Sequence, residues 1–314
     1  MENLRVNELS NYQNKEIISN FLVAQKELRE GTKDFYLRLK LVDKTGSIVA
    51  NVWNNAKRIA DHFNEGDVVK IQAMVISYKS QLQLTISKIK VADDAEYDIS
   101  DFIASTKKDM TKLADEFFGF IDEMKNENLK MLMKNIFEDK EFFAKFAKSP
   151  AAKTWHHNYV GGLLEHSVSV AKICNFVSDM YPVDKDLLIA GALLHDVGKV
   201  YEYNFKTMIE FTTMGRLVGH ICIGDQMIND AAHKMNNFPE NTLIKLRHLI
   251  LSHHGEYEKA AARLPQTLEA IVLHMADNLD AQSVGVTQLI EGVQGSNAEW
   301  TEYDRLNNRY FYIG

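Results

Sequence analysis

The chain has 314 residues, of which 46% are hydrophobic and 25% charged, so it is long enough for two or three domains with sizeable cores. Its formal net charge of −7 argues against non-specific binding of polyanions, although it leaves room for a local basic groove. No apolar run reaches the roughly 18 residues that a membrane span needs, the N-terminus lacks the apolar core of a signal peptide, and two cysteines do not suggest a disulfide framework. We therefore expect a soluble, cytoplasmic protein without a membrane partner.

Residues 1–92 are predicted to form an all-β domain. Five segments have strand patterns, at 17–26, 35–43, 47–53, 68–76 and 82–91, and a short helical stretch lies at 53–63. The last segment changes its apolar phase after Ile86, which predicts a bulge near Ser87 and Lys88. Five short strands with one helix between the third and fourth is the order of an OB barrel.

This region resembles the OB-fold family of nucleic-acid-binding domains over its whole length, through the strand order and the segment DKTGSIVANVW. The resemblance implies that single-stranded nucleic acid lies across the barrel face. Aromatic side chains would then stack on bases while basic side chains meet phosphates. The candidates are the aromatic residues Tyr36, Trp53 and Tyr78 and the basic residues Arg38, Lys40 and Lys79. The alternative is that these aromatic residues belong to the barrel core or rim.

Residues 93–150 are predicted to be a linker followed by helices. The segment DDAEYDIS is polar and acidic, whereas apolar residues recur at helical spacing from residue 101 to residue 148. The pair Ser149–Pro150 ends the last of these helices. The segment carries no recognisable chemistry, and we expect its Met and Phe stripes to pack against the domain that follows.

Residues 151–314 are predicted to form an all-α domain with a scattered set of histidines and aspartates. These residues lie at helix ends and on inward apolar stripes, where an unpaired polar side chain is costly to bury. Imidazole and carboxylate groups together suit Mn, Fe, Co, Ni, Zn or Mg. Two cations a few ångströms apart need a carboxylate that bridges them. Asp196 suits the bridge, His166, His195 and Asp277 suit one cation, and His220 with His253 suits the other.

The pattern H…HD…H…H…D, with Gly198–Lys199 completing HDxGK, resembles the HD superfamily of metal-dependent phosphohydrolases over residues 157–280. The resemblance implies that the six residues are metal ligands and that Lys199 assists at a phosphate. The two additional histidines, His220 and His253, favour the branch of the family that binds two metal ions over the branch that binds one. Spacing does not distinguish His253 from His254 as the ligand, and we favour His253. Gly198 is also expected to end the buried helix that precedes it.

An OB domain, a helical segment and an HD domain in this order resemble the YhaM family of 3′→5′ exoribonucleases from Gram-positive bacteria over nearly the full length. WHHNYVGGLLEHS and LLHDVGK carry this closer resemblance. It implies that nucleotides are removed from a free 3′ end of single-stranded RNA with the help of two divalent cations. We expect Mn, with Co, Fe, Ni or Mg as alternatives. Single-stranded DNA is a further candidate substrate.

Asp196 and Lys199 are the expected catalytic residues for hydrolysis of a phosphodiester. His157, Arg216 and His254 are candidates for holding the scissile phosphate or for protonating the leaving oxygen. A purely structural role explains each of these three equally well.

Three other functions remain open. The first is an HD-type nucleotidase or cyclic-nucleotide phosphodiesterase, the second is oxygen chemistry on two irons, and the third is a binding module with an inactive HD domain. The C-terminal tail AEWTEYDRLNNRYFYIG contains aromatic residues that would pack either on their own domain or on a neighbouring subunit of a homo-oligomer.

Overall fold

The computed structural model describes residues 3–31, 34–79, 81–98, 101–102, 104–205, 209–293 and 298–314. Two compact units divide the chain between Ala104 and Ser105, and Phe205 groups with the first unit. The finer division of the chain at residues 92 and 150 stays a prediction. Among the described helices, none is both long enough and apolar enough to cross a bilayer.

The first unit contains a closed five-stranded barrel with the strand order β1-β2-β3-β5-β4. Its elements are β1 (Glu16–Glu30), β2 (Phe35–Asp43), β3 (Gly46–Val52), α1 (Ala56–Ala60), β4 (Val68–Tyr78) and β5 (Gln81–Val91). The β3–β5 pair is parallel, and the other four pairs are antiparallel. The predicted OB barrel is confirmed, with α1 shorter than the helix expected from the sequence.

Alternation along the strands places one set of side chains inside the barrel. On β2, Leu37, Leu39 and Leu41 are at most 1% exposed. The bulge predicted in the last strand is also confirmed, because Gln72 pairs with Lys88 while Ala73 pairs with Ile86. Ser87 is therefore the extra residue that shifts the apolar phase of β5.

The second unit is helical. Its helices are α2 (Met110–Asp122), α3 (Glu127–Phe137), α4 (Lys140–Lys148), α5 (Gly162–Ser178), α6 (Lys185–Leu194), α7 (Lys199–Glu202), α8 (Thr213–Leu217), α9 (His220–His233), α10 (Glu240–Ser252) and α11 (Leu268–Glu291). Asp109, Asn126 and Asp139 cap the N-termini of α2, α3 and α4 through side-chain oxygens. Aromatic residues of these three helices share one core with α5 and α6, as expected from their stripes.

Two small β structures interrupt the helical pattern, and periodicity did not predict them. Strands β6 (Tyr203–Phe205) and β7 (Ile209–Phe211) form a two-stranded sheet between α7 and α8. Near the C-terminus, antiparallel bridges join Trp300 to Tyr312 and Asp304 to Arg309. We call residues 299–313 the C-terminal hairpin.

Candidate metal centre

The packing of α6 determines where the centre lies. Every residue of α6 from Leu187 to Leu194 is buried, so the helix runs through the middle of the core. Its C-terminal end delivers His195 and Asp196, which are 0% and 2% exposed, to the centre of the unit. The ends or inner faces of α5, α9, α10 and α11 surround this point and contribute the remaining predicted ligands.

Gly198 permits this convergence in a different way from the one expected. Its φ of −64° is right-handed, so it is not the left-handed glycine that commonly follows a helix. A Cβ at Gly198 would lie 2.1 Å from the carbonyl oxygen of His220 and 2.8 Å from the nitrogen of Gly224. The glycine therefore allows the start of α9 to approach the HD turn closely.

One set of candidate ligand atoms surrounds His166. The Nε2 atom of His166 lies 3.1 Å from Nε2 of His195 and 3.1 Å from Oδ1 of Asp277. Oδ2 of Asp196 lies 3.3 Å from Nε2 of His195. Neighbouring ligands that are each about 2.1 Å from one cation have separations of about this size.

The other oxygen of Asp196 faces a second set. Its Oδ1 atom lies 3.4 Å from Nε2 of His220 and 3.6 Å from Nε2 of His253. These three atoms are buried and have no hydrogen-bond partner among the described residues. Buried polar atoms without partners are rare and costly in native proteins. A divalent cation would satisfy all three, so the residues fit a metal centre.

Hydrogen bonds on the far side of the imidazoles direct Nε2 toward Asp196. Nδ1 of His195 donates to the Ala192 carbonyl at 2.8 Å, and Nδ1 of His253 donates to the Ile250 carbonyl at 2.7 Å. Nδ1 of His220 donates to the carboxylate of Glu202 at 3.0 Å. Such bonds select the tautomer that leaves Nε2 free to ligate. The sequence did not single out Glu202.

Asp280 orients His166 by the same kind of hydrogen bond to Nδ1. Its Oδ2 accepts from Nδ1 of His166 at 2.7 Å and from Nε2 of His157 at 2.9 Å, and its Oδ1 accepts from the hydroxyl of Ser169. His157, predicted as a phosphate ligand, is thus 1% exposed and lies behind the centre, with its Nδ1 2.9 Å from the Tyr159 hydroxyl oxygen. In this position it supports Asp280.

Electrostatics keeps the carboxylates ionised. Burial alone would raise the pKa of Asp196, but Lys199 and His195 hold it well below its usual value. Burial also opposes ionisation of Asp277, yet its hydrogen bond with His166 lowers its pKa well below the usual range. Conversely, burial disfavours the charged form of His166, while Asp277 and Asp280 raise its pKa to about 10, so a cation bound at Nε2 would take the place of a proton there. The carboxylates are therefore in the form that binds cations.

A cleft of about 1200 Å³ opens over this cluster. Asp196, Lys199 and Asp277 contribute to its lining. The ammonium group of Lys199, which is 7% exposed, donates to Oδ2 of Asp196 at 2.5 Å. His254 also lines the cleft, and its Nδ1 donates to the Lys259 carbonyl at 2.6 Å. Of the His253–His254 pair, His253 faces Asp196 and His254 faces the cleft.

His156 lines the cleft as well and was not predicted. Its Nδ1 is buried and has no partner among the described residues. Burial lowers the pKa of His156, and likewise that of His254, to about 3, so both are neutral at pH 7. The signal in the sequence was the His156–His157 doublet. In the structure, His157 has a φ of +50°, and the two rings lie at 87° to each other.

Arg216 is placed differently from the other candidates. It is exposed on α8, and its guanidinium lies 5.9 Å from the centre of the Phe211 ring. It is not among the described residues that line the cleft. Its role at a phosphate stays a prediction.

The barrel brings together two of its three candidate aromatic residues. The rings of Tyr36 and Trp53 stack with centroids 4.8 Å apart and planes 25° apart, and Trp53 is 53% exposed, so this pair lies on the surface. Arg38 and Lys40 line a groove of about 290 Å³. Tyr78 is exposed at the end of β4, where the Lys79 ammonium lies 5.6 Å from its ring centre.

Comparison with known families agrees with both folds. Residues 163–282 match the HD domain family, and residues 25–92 match a family described as an OB-fold nucleic acid binding domain. The N-terminal domain is thus an OB barrel, and the helical unit contains an HD domain, a type of metal-dependent hydrolase domain.

Solved structures with similarity to the chain include OB domains. The second OB-fold domain of replication protein A from Methanococcus maripaludis is 24% identical, with coverage of 30% of this chain and 97% of that one and a TM-score of 0.25. A replication protein A heterotrimer bound to ssDNA is 15% identical, with coverages of 26% and 60% and a TM-score of 0.22. Asparaginyl-tRNA synthetase from Pyrococcus horikoshii is 13% identical, with coverages of 50% and 37% and a TM-score of 0.26.

Proposed function

We propose that the protein is a metal-dependent 3′→5′ exoribonuclease that hydrolyses single-stranded RNA, with single-stranded DNA as a further substrate. The observation that carries this proposal is Asp196, whose two carboxylate oxygens face separate sets of ligand atoms at the base of an open cleft. Paired sites of this kind are typical of enzymes that cleave phosphate esters.

The proposed centre binds two divalent cations, with Mn as our first choice and Co, Fe, Ni or Mg as alternatives. His166, His195 and Asp277 hold one cation, His220 and His253 hold the other, and Asp196 bridges them. Bound there, the cations would lower the pKa of water and stabilise negative charge on the phosphate.

The remaining side chains act on the phosphate and the leaving oxygen. The ammonium group of Lys199 is hydrogen-bonded to Asp196 at the cleft surface, where it can also donate to a non-bridging phosphate oxygen. His156 and His254 are neutral and line the same cleft, so they are suited to hydrogen-bonding rather than to carrying charge. His157 holds Asp280 in place and does not itself meet the substrate in this proposal.

The barrel supports a polymeric substrate over a mononucleotide. The stacked pair of half-buried Tyr36 and exposed Trp53 offers an aromatic surface to unpaired bases, and Arg38 and Lys40 in a groove of the same barrel offer charge to phosphates. A nucleotidase or cyclic-nucleotide phosphodiesterase would have no use for this surface in catalysis.

The test uses single-stranded RNA and DNA labelled at the 5′ or the 3′ end, incubated with Mn or with EDTA. We expect a ladder of 5′-labelled RNA products shortened from the 3′ end, lost in EDTA. Asp196→Ala should reduce cleavage by at least about 10³-fold, because a carboxylate shared by two cations is removed. Strand binding should remain, since the barrel is a separate unit.

The matched control is Asp179→Ala, which removes an exposed carboxylate at the end of α5 and should leave cleavage unchanged. Cleavage that survives Asp196→Ala would show that this cluster is not the catalytic site. Release of product from mononucleotides alone would replace the exonuclease with the nucleotidase alternative.

A further inference from the structure

The C-terminal hairpin is held together by its own hydrogen bonds. The amide of Thr301 donates to the Phe311 carbonyl at 2.9 Å, and the amide of Phe311 donates to the Thr301 hydroxyl at 3.0 Å. At the tip, the Asp304 carboxylate accepts from the backbone amide of Asn307 at 2.8 Å and from its side chain at 2.7 Å. The tip, residues 305–308, therefore has a defined conformation.

This hairpin forms part of the wall of the cleft above the candidate metal centre. The residues it contributes to the lining are Leu306, Asn307, Asn308, Arg309 and Phe311. They lie beyond residues 163–282, the part that matches the HD domain family. The hairpin therefore contributes, from outside the matched region, to a cleft whose lining also includes Asp196 and Asp277.

Arg309 supplies positive charge to that wall. Its Nε donates to the Asn307 carbonyl at 2.9 Å, and in the described part of the chain no carboxylate lies within ion-pair distance of its guanidinium. Four of the five N–H donors of a guanidinium thus remain for a ligand. Arg305 lies on the same tip but is not one of the described residues that line the cleft.

Trp155 lines the same cleft and is fixed by α11. Its indole packs on Gly285, where a Cβ would come within 2.3 Å of two ring carbons. Only glycine allows the ring to lie this close to the helix backbone. Polar side chains of α11, among them Asn278, Gln282 and Ser283, continue the lining. The cleft thus combines an immobilised aromatic ring with a free guanidinium, beside a site suited to a phosphate.

We propose that the C-terminal hairpin and Trp155 form a binding site for the terminal nucleotides of a single strand. Arg309 binds a backbone phosphate next to the scissile one, and Trp155 stacks on a base. The nature of this ligand rests on the proposed function. The volume of about 1200 Å³ exceeds the roughly 300–1000 Å³ of ordinary small-molecule pockets, which fits more than one nucleotide.

The first test compares Arg309→Ala with Arg305→Ala, its matched control on the same hairpin. Two substrates are hydrolysed with Mn: a single-stranded oligoadenylate and bis(p-nitrophenyl) phosphate, which is too small to reach a neighbouring phosphate site. Arg309→Ala should lower kcat/KM for the oligonucleotide about 10- to 100-fold, as expected for loss of a charged hydrogen-bonded pair. It should leave the small diester within about twofold of wild type, and Arg305→Ala should change neither.

The second test does not depend on hydrolysis. The affinity of an adenylyl trinucleotide with two phosphorothioate linkages, measured in EDTA, should fall about tenfold or more in Arg309→Ala and stay unchanged in Arg305→Ala. The fluorescence measurements use protein that carries Trp53→Phe, because Trp53 is itself proposed to stack on bases. In this background, binding should quench tryptophan fluorescence, also after Trp300→Phe, which removes the exposed tryptophan of the hairpin. The quenching should disappear in Trp155→Phe.

The outcomes separate this inference from the proposed function. If the wild type cleaves no strand, the exonuclease is refuted, and the trinucleotide affinities then decide the hairpin site by themselves. Equal affinities in Arg309→Ala and Arg305→Ala would refute the hairpin site, even if strands are cleaved. Equal losses on the oligonucleotide and the small diester would show that Arg309 acts on the metal centre or the fold. Quenching that persists in Trp155→Phe would remove Trp155 from the site.

Discussion

Asp280→Asn tests whether the hydrogen bonds behind the candidate centre determine its affinity for metal. The carboxylate of Asp280 accepts from His166 at 2.7 Å, from His157 at 2.9 Å and from the hydroxyl of Ser169. An amide of the same shape has one oxygen, so it cannot accept from all three donors. His166 and His157 share Oδ2 of Asp280, so the variant keeps the volume of the side chain but offers both histidines an uncharged amide oxygen, which is a weaker acceptor than a carboxylate.

The magnitude follows from the position of Asp280 behind a ligand. Replacing the hydrogen-bond partner of a metal-binding histidine costs typically about 10- to 100-fold in metal affinity, or about 1.4 to 2.8 kcal/mol. We expect this loss in Asp280→Asn. Ser169→Ala is the matched control, because it removes one donor to the same carboxylate and leaves both histidine bonds intact. Its effect on metal affinity should be clearly smaller than that of Asp280→Asn, because the Ser169 hydroxyl contacts the carboxylate and none of the candidate ligands.

The assay is calorimetric titration of the metal-free protein with Mn²⁺, accompanied by the Mn²⁺ concentration that gives half-maximal hydrolysis. In Asp280→Asn the dissociation constant for Mn²⁺ and the half-maximal Mn²⁺ concentration should rise together, and excess Mn²⁺ should restore much of the rate of hydrolysis. An unchanged dissociation constant would refute the reasoning. So would a loss of rate that excess Mn²⁺ does not restore, because Asp280 would then act on the reaction itself.

Two predictions concern stability. Phe117 is fully buried and packs on Phe137 with ring centroids 4.7 Å apart, so Phe117→Ala should lower the free energy of unfolding by about 3–5 kcal/mol, and the half-buried Phe118→Ala by less. Denaturant titration measures both, and equal losses would contradict the assignment of Phe117 to the core. In the barrel, hydrogen bonds from Lys70, the Asp93 amide and Lys90 lower the pKa of Glu96 from 4.5 to about 2. Because the folded pKa is depressed, this carboxylate stabilises the fold above about pH 4.5 and loses its effect as the pH falls toward 2. Glu96→Gln should therefore unfold at lower denaturant than wild type at pH 7, with a gap that closes in acid; a gap independent of pH would exclude these ion pairs as its cause.

The barrel could be predicted well because its pattern is local. Alternation on β2 identified the buried leucines, and the change of phase in β5 identified the bulge that the pairing of Gln72 and Ala73 confirms. Helix α1 was predicted too long, since the apolar residues around it pack on the barrel without helical backbone. The β6–β7 sheet was not predicted, because its two strands have three residues each and are too short to show an alternation of apolar and polar residues.

The sequence by itself determined which residue types are available for chemistry, because the HD pattern identified His166, His195, Asp196, His220, His253 and Asp277 as candidate ligands. Only the tertiary structure decided where the side chains of neighbouring residues lie and what they contact. His156 and His157 are adjacent and alike in the sequence, yet one lines the cleft and the other is buried on Asp280. The C-terminal hairpin reaches the same cleft from a part of the chain with no recognisable motif. The physical reason is that backbone turns and long-range packing direct side chains, and neither leaves a periodic signal in the sequence.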